Sequence, residues 1–345
     1  GTGTGGGPIP QILHPGSWLG GGYHTPRMDA LTAALKERAL AEGFDLVGVA
    51  AAAEATGAAH LRRWLASGRH AGMAWMARNV ELRSDPRRLL PGCRSVVAVA
   101  MSYRTSHQAS LDGVRDRDRR VWVSRYAWGR DYHGVLKRRL IRLGTWLAAA
   151  SPAAGWRACV DTAPVLEREW AARAGLGWIG KNTSLLNRRL GSELFLGVLM
   201  TTAPLAPDGP VSDHCGRCTA CLDACPAGAF PGPRVLDARR CIAYLTVEHR
   251  GPVAEELRPA MGSMVAGCDI CQEVCPWTRR APADLHDEFA PAAHRLRPPL
   301  AELEALDEGG YRAWRQGSAL RRIPFAQFRH SLAIVRANLD RRGAE

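Results

Sequence analysis

The sequence predicts an α+β fold in three parts. Three observations carry that prediction. Short apolar strands alternate with amphipathic helices over residues 29–205, two cysteine runs follow between positions 215 and 275, and Arg-studded helical stretches close the chain. A length of 345 residues suggests two or three domains, and an apolar fraction of 46% allows a sizeable core. The expected divisions are 1–28, a disordered or mis-started extension rich in Gly and Pro with Met28 as the start; 29–205, the α/β sandwich; 206–282, the cysteine module; and 283–345, a helical end.

Within the sandwich, residues 29–42 have the pattern of an amphipathic helix stopped by Gly43, and a buried strand starts at Phe44. Residues 58–79 look helical. Residues 95–103 (SVVAVAMSY), 156–161 (WRACVD) and 194–201 (LFLGVLMT) are strands. Residues 132–149 form a strong helix with Val135, Leu136, Leu140, Leu143 and Leu147 on one face. Asp161-Thr162 reads as the start of a helix running to about Ala174, with Asp161 as its cap. A carboxyl there could also donate protons if burial raised its pKa, and the residues alone leave both roles open. Residues 318–339 are one or two helices with Ile323, Phe325, Phe328, Leu332, Ile334 and Val335 inward.

Eight of the ten cysteines fall in one segment. Cys215, Cys218, Cys221 and Cys225 form C-x2-C-x2-C-x3-C-P, and Cys268, Cys271 and Cys275 form C-x2-C-x3-C-P. A thiolate every third residue, closed by Cys-Pro, wraps a cubane iron–sulfur cluster, and in two-cluster modules the last cysteine of one run ligates the other cluster. This assigns Cys215, Cys218, Cys221 and Cys275 to one [4Fe-4S] cluster. Cys225, Cys268 and Cys271 hold the second, with Cys241 as the fourth ligand nearby. Zinc is the alternative, but two C-x2-C pairs suffice for it and leave an evenly spaced third cysteine surplus. Disulfides suit a small secreted chain rather than one of this length. Cys93 and Cys159 are expected to be buried small hydrophobes.

No eighteen-residue apolar stretch exists, so no membrane span is expected, and reduced thiols suggest the cytoplasm. The net charge of +13 points to polyanionic partners. Residues 115–142 hold ten Lys/Arg against Asp116, Asp118 and Asp131, and residues 310–345 hold eight Arg against Asp340 and Glu345. Residues 175–181 (GLGWIGK) lack the spacing of a phosphate loop.

A longer pattern joins these pieces. Val123-Ser124-Arg125-Tyr126-Ala127 and Gly129-Arg130-Asp131-Tyr132-His133 precede Val160-Asp161-Thr162-Ala163-Pro164. Then come Ala174-Gly175-Leu176-Gly177-Trp178-Ile179-Gly180-Lys181-Asn182, the cysteine module and, within it, Leu245-Thr246, Glu248-His249-Arg250-Gly251. This order resembles the epoxyqueuosine reductases, from about residue 29 to 280 and more loosely beyond.

The resemblance implies a nitroreductase-like cobalamin-binding domain, a ferredoxin-like module with two [4Fe-4S] clusters, and a short HEAT-like helical end. It implies reduction of the epoxide of epoxyqueuosine at a tRNA wobble position, with Asp161 as proton donor. Burial under the corrin would raise its pKa. Arg83, Ser124, Asp161, Gly180, Lys181, Asn182, Thr183, Ser184 and His249 would meet cobalamin. His133 would be structural rather than a cobalt ligand. The tRNA would meet Arg250, Arg312, Arg315, Arg321, Arg322 and Arg329. An external low-potential donor would supply electrons to a monomer. The competing readings are a corrinoid reductive dehalogenase, a ferredoxin-like carrier without its own substrate, and an RNA-binding protein with structural clusters.

Overall fold

Val97, Val99 and Met101 alternate with Val96, Ala98 and Ala100 along one strand, and all six are shielded from solvent. Such a strand must be covered on both faces. The computed structural model describes residues 30–107, 109–110 and 119–344. The expected extension over 1–28, and Asp116 and Asp118 of the basic stretch, lie outside the described residues.

The strands are β1 (Leu46–Ala51), β2 (Ser95–Ser102), β3 (Trp122–Val123), β4 (Trp156–Cys159), β5 (Trp178–Ile179), β6 (Leu185–Leu186), β7 (Leu194–Thr201) and β8 (Met264–Ala266). Four of them form an antiparallel sheet in the order β1-β2-β7-β4, with Leu46 opposite Ala100 and Ser95 opposite Thr201. On one face, helices Ala30–Ala41 and Tyr132–Ala150 pack Leu35, Leu136, Leu140 and Leu143 against Val97, Val99 and Leu199. On the other, helix Glu167–Arg173 brings Trp170 and Ala171 against Val96, Ala98, Val198 and Met200. Cys93 and Cys159 are buried in that second layer. The architecture is α+β.

Two elements differ from the expected ones, and the C-terminal stretch keeps its expected helical pattern. The helical pattern over 58–79 breaks into Ala58–Ala66 and Ala74–Ala77, because Gly68 and Ala71 take positive φ of 67° and 52°. The turn between them is held from outside: Trp64 Nε1 donates to Leu236 O at 2.6 Å, and Gly72 N donates to the Tyr244 hydroxyl at 2.8 Å. The helix expected to begin at Asp161 begins at Glu167, and Asp161 caps nothing. At the C-terminus, a short turn Ala319–Arg322 precedes Pro324 and the long helix Phe325–Ala344.

A further core joins regions distant in sequence. Trp122 and Trp128, Ile242, Leu245 and Ile270 of the cysteine segment, and Leu320, Phe328, Leu332 and Val335 of the C-terminus share one apolar cluster. β3 pairs in parallel with β8, Trp122 against Met264, stitching the sandwich to the cysteine segment. Below this stitch Arg125 is buried. It pairs with Glu273 at 3.2 Å and Glu193 at 3.5 Å, donates to Thr105 Oγ1 at 2.8 Å, and lies over the Trp128 ring at 4.8 Å. Among the described residues no helix is long and apolar enough to cross a membrane.

Candidate active site

The clustered cysteines influence one another's ionisation mostly within two sets, Cys215, Cys218, Cys221 and Cys275, and Cys225, Cys241, Cys268 and Cys271. Burial raises the Cys221 thiol to about 11, and neighbouring Cys275, Cys215 and Cys218 add to the effect. Cys271 is raised by burial and then by Cys241 and Cys225, and Cys268 by burial, Cys271 and Cys241. The residues therefore fit two cubanes, with Cys275 and Cys225 each crossing to the other run.

Residues 180–184 link these groups to the sandwich. They are the turn of the β5–β6 hairpin, with Thr183 N donating to Gly180 O at 2.9 Å. Gly180 is required by packing, since a Cβ there would lie 2.5 Å from Leu186 Cδ1. Lys181 Nζ donates to Gly216 O at 2.8 Å and Cys218 O at 2.9 Å, and Asn182 Nδ2 to Cys271 O at 3.1 Å. The Asn182 amide oxygen accepts from Ser184 N. Ser124 is buried and its hydroxyl donates to Asp269, which also accepts from Trp122 Nε1 at 2.8 Å and Arg125 N at 3.0 Å. Ser124, Lys181 and Asn182, expected against a cofactor, thus spend these polar groups on holding the cysteine loops.

Asp161 stands just beyond β4 in a left-handed conformation, φ 51°. That conformation is costly for a non-glycine residue and turns the carboxyl out of the strand. Its Oδ2 lies 3.1 Å from His133 Nε2, and His133 Nδ1 lies 2.7 Å from Asp131 Oδ1. Asp131 caps helix Tyr132–Ala150 by accepting from His133 N at 3.1 Å, which fixes the ring's starting point. Burial pulls the imidazole's pKa down, but hydrogen bonds to Asp131 and Asp161 outweigh it and bring His133 up to about 9. At Asp161 burial pushes the pKa up, but the His133 hydrogen bond and charge, with Arg322 and Arg168, leave it below the usual carboxylate range. The expected rise belongs to a carboxyl lying beneath the corrin; here His133 holds Asp161 low, and at neutral pH the proton resides on His133.

Arg83 and Glu167 share this neighbourhood. Each influences the other's ionisation, and both feel Asp161. Burial raises Glu167 to about 7, the first and largest effect. Arg83 Nε and Glu167 Oε1 are buried without hydrogen-bond partners. Buried polar atoms left without partners make Arg83 and Glu167 candidates to meet a polar ligand such as cobalamin. Glu167 and His133 were not singled out as functional from the sequence. Their link to Asp161 is a tertiary contact that no local pattern encodes.

The C-terminal turn Ala319–Arg322 reaches the same place. Arg321 helps lower Asp131, and Arg322 helps lower Asp161. Arg322, itself exposed, also pairs with Glu248 and lies over the Trp75 ring at 5.1 Å. Arg250 donates to the carbonyls of Val247, His249 and Arg322, and Arg315 to those of Arg321 and Ile323. Arg329 donates to Glu304 O. Arg312 and Arg321 are exposed. His249 lines a cleft of about 420 Å³ with Gly72, Tyr244, Glu248 and Arg250.

Comparison with known proteins agrees with this geometry. The family model described as epoxyqueuosine reductase QueG, DUF1730 matches residues 83–162, and that of the 4Fe-4S double cluster binding domain matches residues 214–278. An epoxyqueuosine reductase from a Synechococcus species is 44% identical over 323 residues, covering 91% of this chain and 97% of that one. One from Pseudomonas aeruginosa is 44% identical over 297 residues, covering 86% and 82%. A crystal structure of epoxyqueuosine reductase with an epoxyqueuosine-modified tRNA-Tyr stem loop superposes with a TM-score of 0.83 at 31% identity, covering 91% of this chain and 83% of that one. The Bacillus subtilis enzyme, with its catalytic aspartate loop swung out of the active site, superposes with a TM-score of 0.82 at 29% identity and the same coverage. By sequence and by fold, the chain belongs to the epoxyqueuosine reductase family.

Proposed function

We propose that this chain reduces epoxyqueuosine to queuosine at the wobble position of tRNA anticodons, with Asp161 as proton donor, cobalamin and two [4Fe-4S] clusters as cofactors. The observation that carries the residue assignment is the Asp131–His133–Asp161 relay, with spacings of 2.7 and 3.1 Å, beside the unpartnered Arg83 and Glu167 atoms. Family membership and the two thiol quartets support the rest.

The reaction removes the epoxide oxygen as water: two C–O bonds break, a C=C bond forms, and two electrons and two protons are consumed. Bound cobalamin supplies low-valent cobalt chemistry, and the clusters supply electrons one at a time. The chain's own part is the protons. Asp161 takes a proton from His133 across their hydrogen bond and hands it to the departing oxygen. Asp131 holds the ring so that Nε2 faces Asp161. Arg83, Ser124, Asp161, the turn 180–184 and His249 would meet cobalamin, with Glu167 beside Arg83, while the exposed Arg312 and Arg321 would meet tRNA phosphates. The protein acts as a monomer in the cytoplasm, where its tRNA substrate is.

The test is conversion. Protein reconstituted with iron, sulfide and cobalamin, supplied with dithionite and epoxyqueuosine-containing tRNA, yields a nucleoside lighter by one oxygen. Bound cofactors and bound tRNA with no mass change would contradict the proposal and favour an RNA-binding role.

A further inference from the structure

The cysteine quartet of Cys215, Cys218, Cys221 and Cys275 meets solvent. Cys218 is exposed, as are Gly216, Arg217 and Thr219 around it. Two other basic pairs approach this loop. Arg188 and Arg189 occupy the turn closed by Asn187 and Gly191, which presses on Thr278: a Cβ on Gly191 would lie 2.5 Å from Thr278 Cα, and Ser192 N donates to Thr278 Oγ1 at 3.1 Å. Thr278 follows Cys275 by three residues, and Arg279 and Arg280 come next. Trp277 closes the gap, donating to His214 O at 3.3 Å and packing edge-on to Trp178, whose Nε1 reaches Cys215 Sγ at 3.4 Å.

All five arginines, Arg188, Arg189, Arg217, Arg279 and Arg280, are exposed. Among the described residues none of them pairs with a carboxylate. Of the acids nearby, Asp213 pairs with Arg234, and Asp223, held by the Thr219 hydroxyl at 2.6 Å, sets one negative charge against the five positive ones. The C-terminal arginines differ, since Arg315, Arg322 and Arg329 are bonded within the chain. No cysteine of the other quartet is exposed. Asn182 and the Asp269–Ser124 contact hold its loop, and Cys221 of the outer quartet neighbours Cys271.

An exposed redox loop ringed by net positive charge suits a negatively charged partner that delivers electrons. We infer that this arginine face is the docking surface for an acidic one-electron carrier protein, and that electrons enter through the Cys218-bearing cluster. The inference rests on the [4Fe-4S] reading above. Each encounter oxidises the carrier by one electron and reduces the outer cluster by one. Two encounters supply the two electrons of one epoxide reduction, and the protons come from solvent.

The test uses the full chain with both clusters loaded. Reduced plant-type [2Fe-2S] ferredoxin, an acidic carrier, is mixed with it anaerobically, and cluster bleaching is followed. Reduced methyl viologen, a small cation, is the comparison. In the variants Arg217→Glu/Arg279→Glu and Arg188→Glu/Arg189→Glu, the second-order rate with ferredoxin falls by about tenfold or more at low salt. Calorimetric affinity for oxidised ferredoxin falls with it, while the viologen rate does not fall. Unchanged ferredoxin rate and affinity overturn the inference. So does a loss confined to tRNA binding, which would assign the face to nucleic acid. Lack of iron–sulfur absorbance in the loaded wild type would overturn the cluster reading itself, a separate failure from a docking surface placed elsewhere.

Discussion

The two cysteine quartets have the same ligand chemistry and opposite surroundings. One lies under an exposed loop bearing Cys218, held by Lys181 and flanked by free arginines. The other has no exposed cysteine, and its loop is tied to the sandwich through Asp269, Ser124 and Asn182. Spacing alone makes the quartets equivalent. Their environments differ: Cys218 of the outer group meets solvent, while the inner group is tied to the sandwich that carries the Asp161 site. Tyr126, which feels both Asp269 and Asp161, lies between the inner loop and that site.

The comparison can be broken most severely at the inner quartet. Cys241→Ala removes the ligand contributed from outside both runs, so turnover is expected to vanish and bound iron to fall by about half. Iron analysis with electron paramagnetic resonance checks this, and a full complement of iron would place the fourth ligand elsewhere. Next comes the stitch that joins that quartet's segment to the sandwich. Arg125→Ala leaves Glu193 and Glu273 buried without their shared cation, and is expected to cost about 3–5 kcal/mol, read as a fall in melting temperature.

A smaller effect is expected at the proton relay. His133 is raised, so its proton is present below about pH 9 and lost above it. The wild-type rate should therefore decline as pH rises through about 9. His133→Gln should remove that limb and lower the rate about 10- to 100-fold while both clusters stay intact. A pH profile unchanged by the substitution would remove His133 from the proton path. Smallest are Arg312→Ala and Arg321→Ala. Each should weaken tRNA binding slightly and reduce the slope of log affinity against log salt by about one.

The fold was largely legible. Short apolar runs marked β2 and β7, and the 3.6-residue period marked Tyr132–Ala150, because both patterns are local. Legibility ended where a distant segment decides the conformation. Asp161 reads as a cap, yet Pro164 and the Val160 carbonyl contact of Thr162 N lead the chain through a left-handed turn, and the helix starts later. The helical pattern over 58–79 gives way where Tyr244 and Leu236 of the cysteine segment capture the turn. At the site, Asp161 could be named from its motif, but His133 is 28 residues away and its link shows only in three dimensions. Arg322 likewise reads as one of many C-terminal arginines, while its place beside Asp161 and Trp75 follows from the docking of the turn Ala319–Arg322.

The central claim is that Asp161 delivers the proton to the leaving epoxide oxygen. Asp161→Asn keeps the size and loses the acid. Loaded with clusters and cobalamin and given dithionite, this variant should bind epoxyqueuosine-containing tRNA normally yet convert it about 10²- to 10⁴-fold more slowly than wild type in a single turnover. Conversion at the wild-type rate, with the same cofactor spectra, would contradict the assignment.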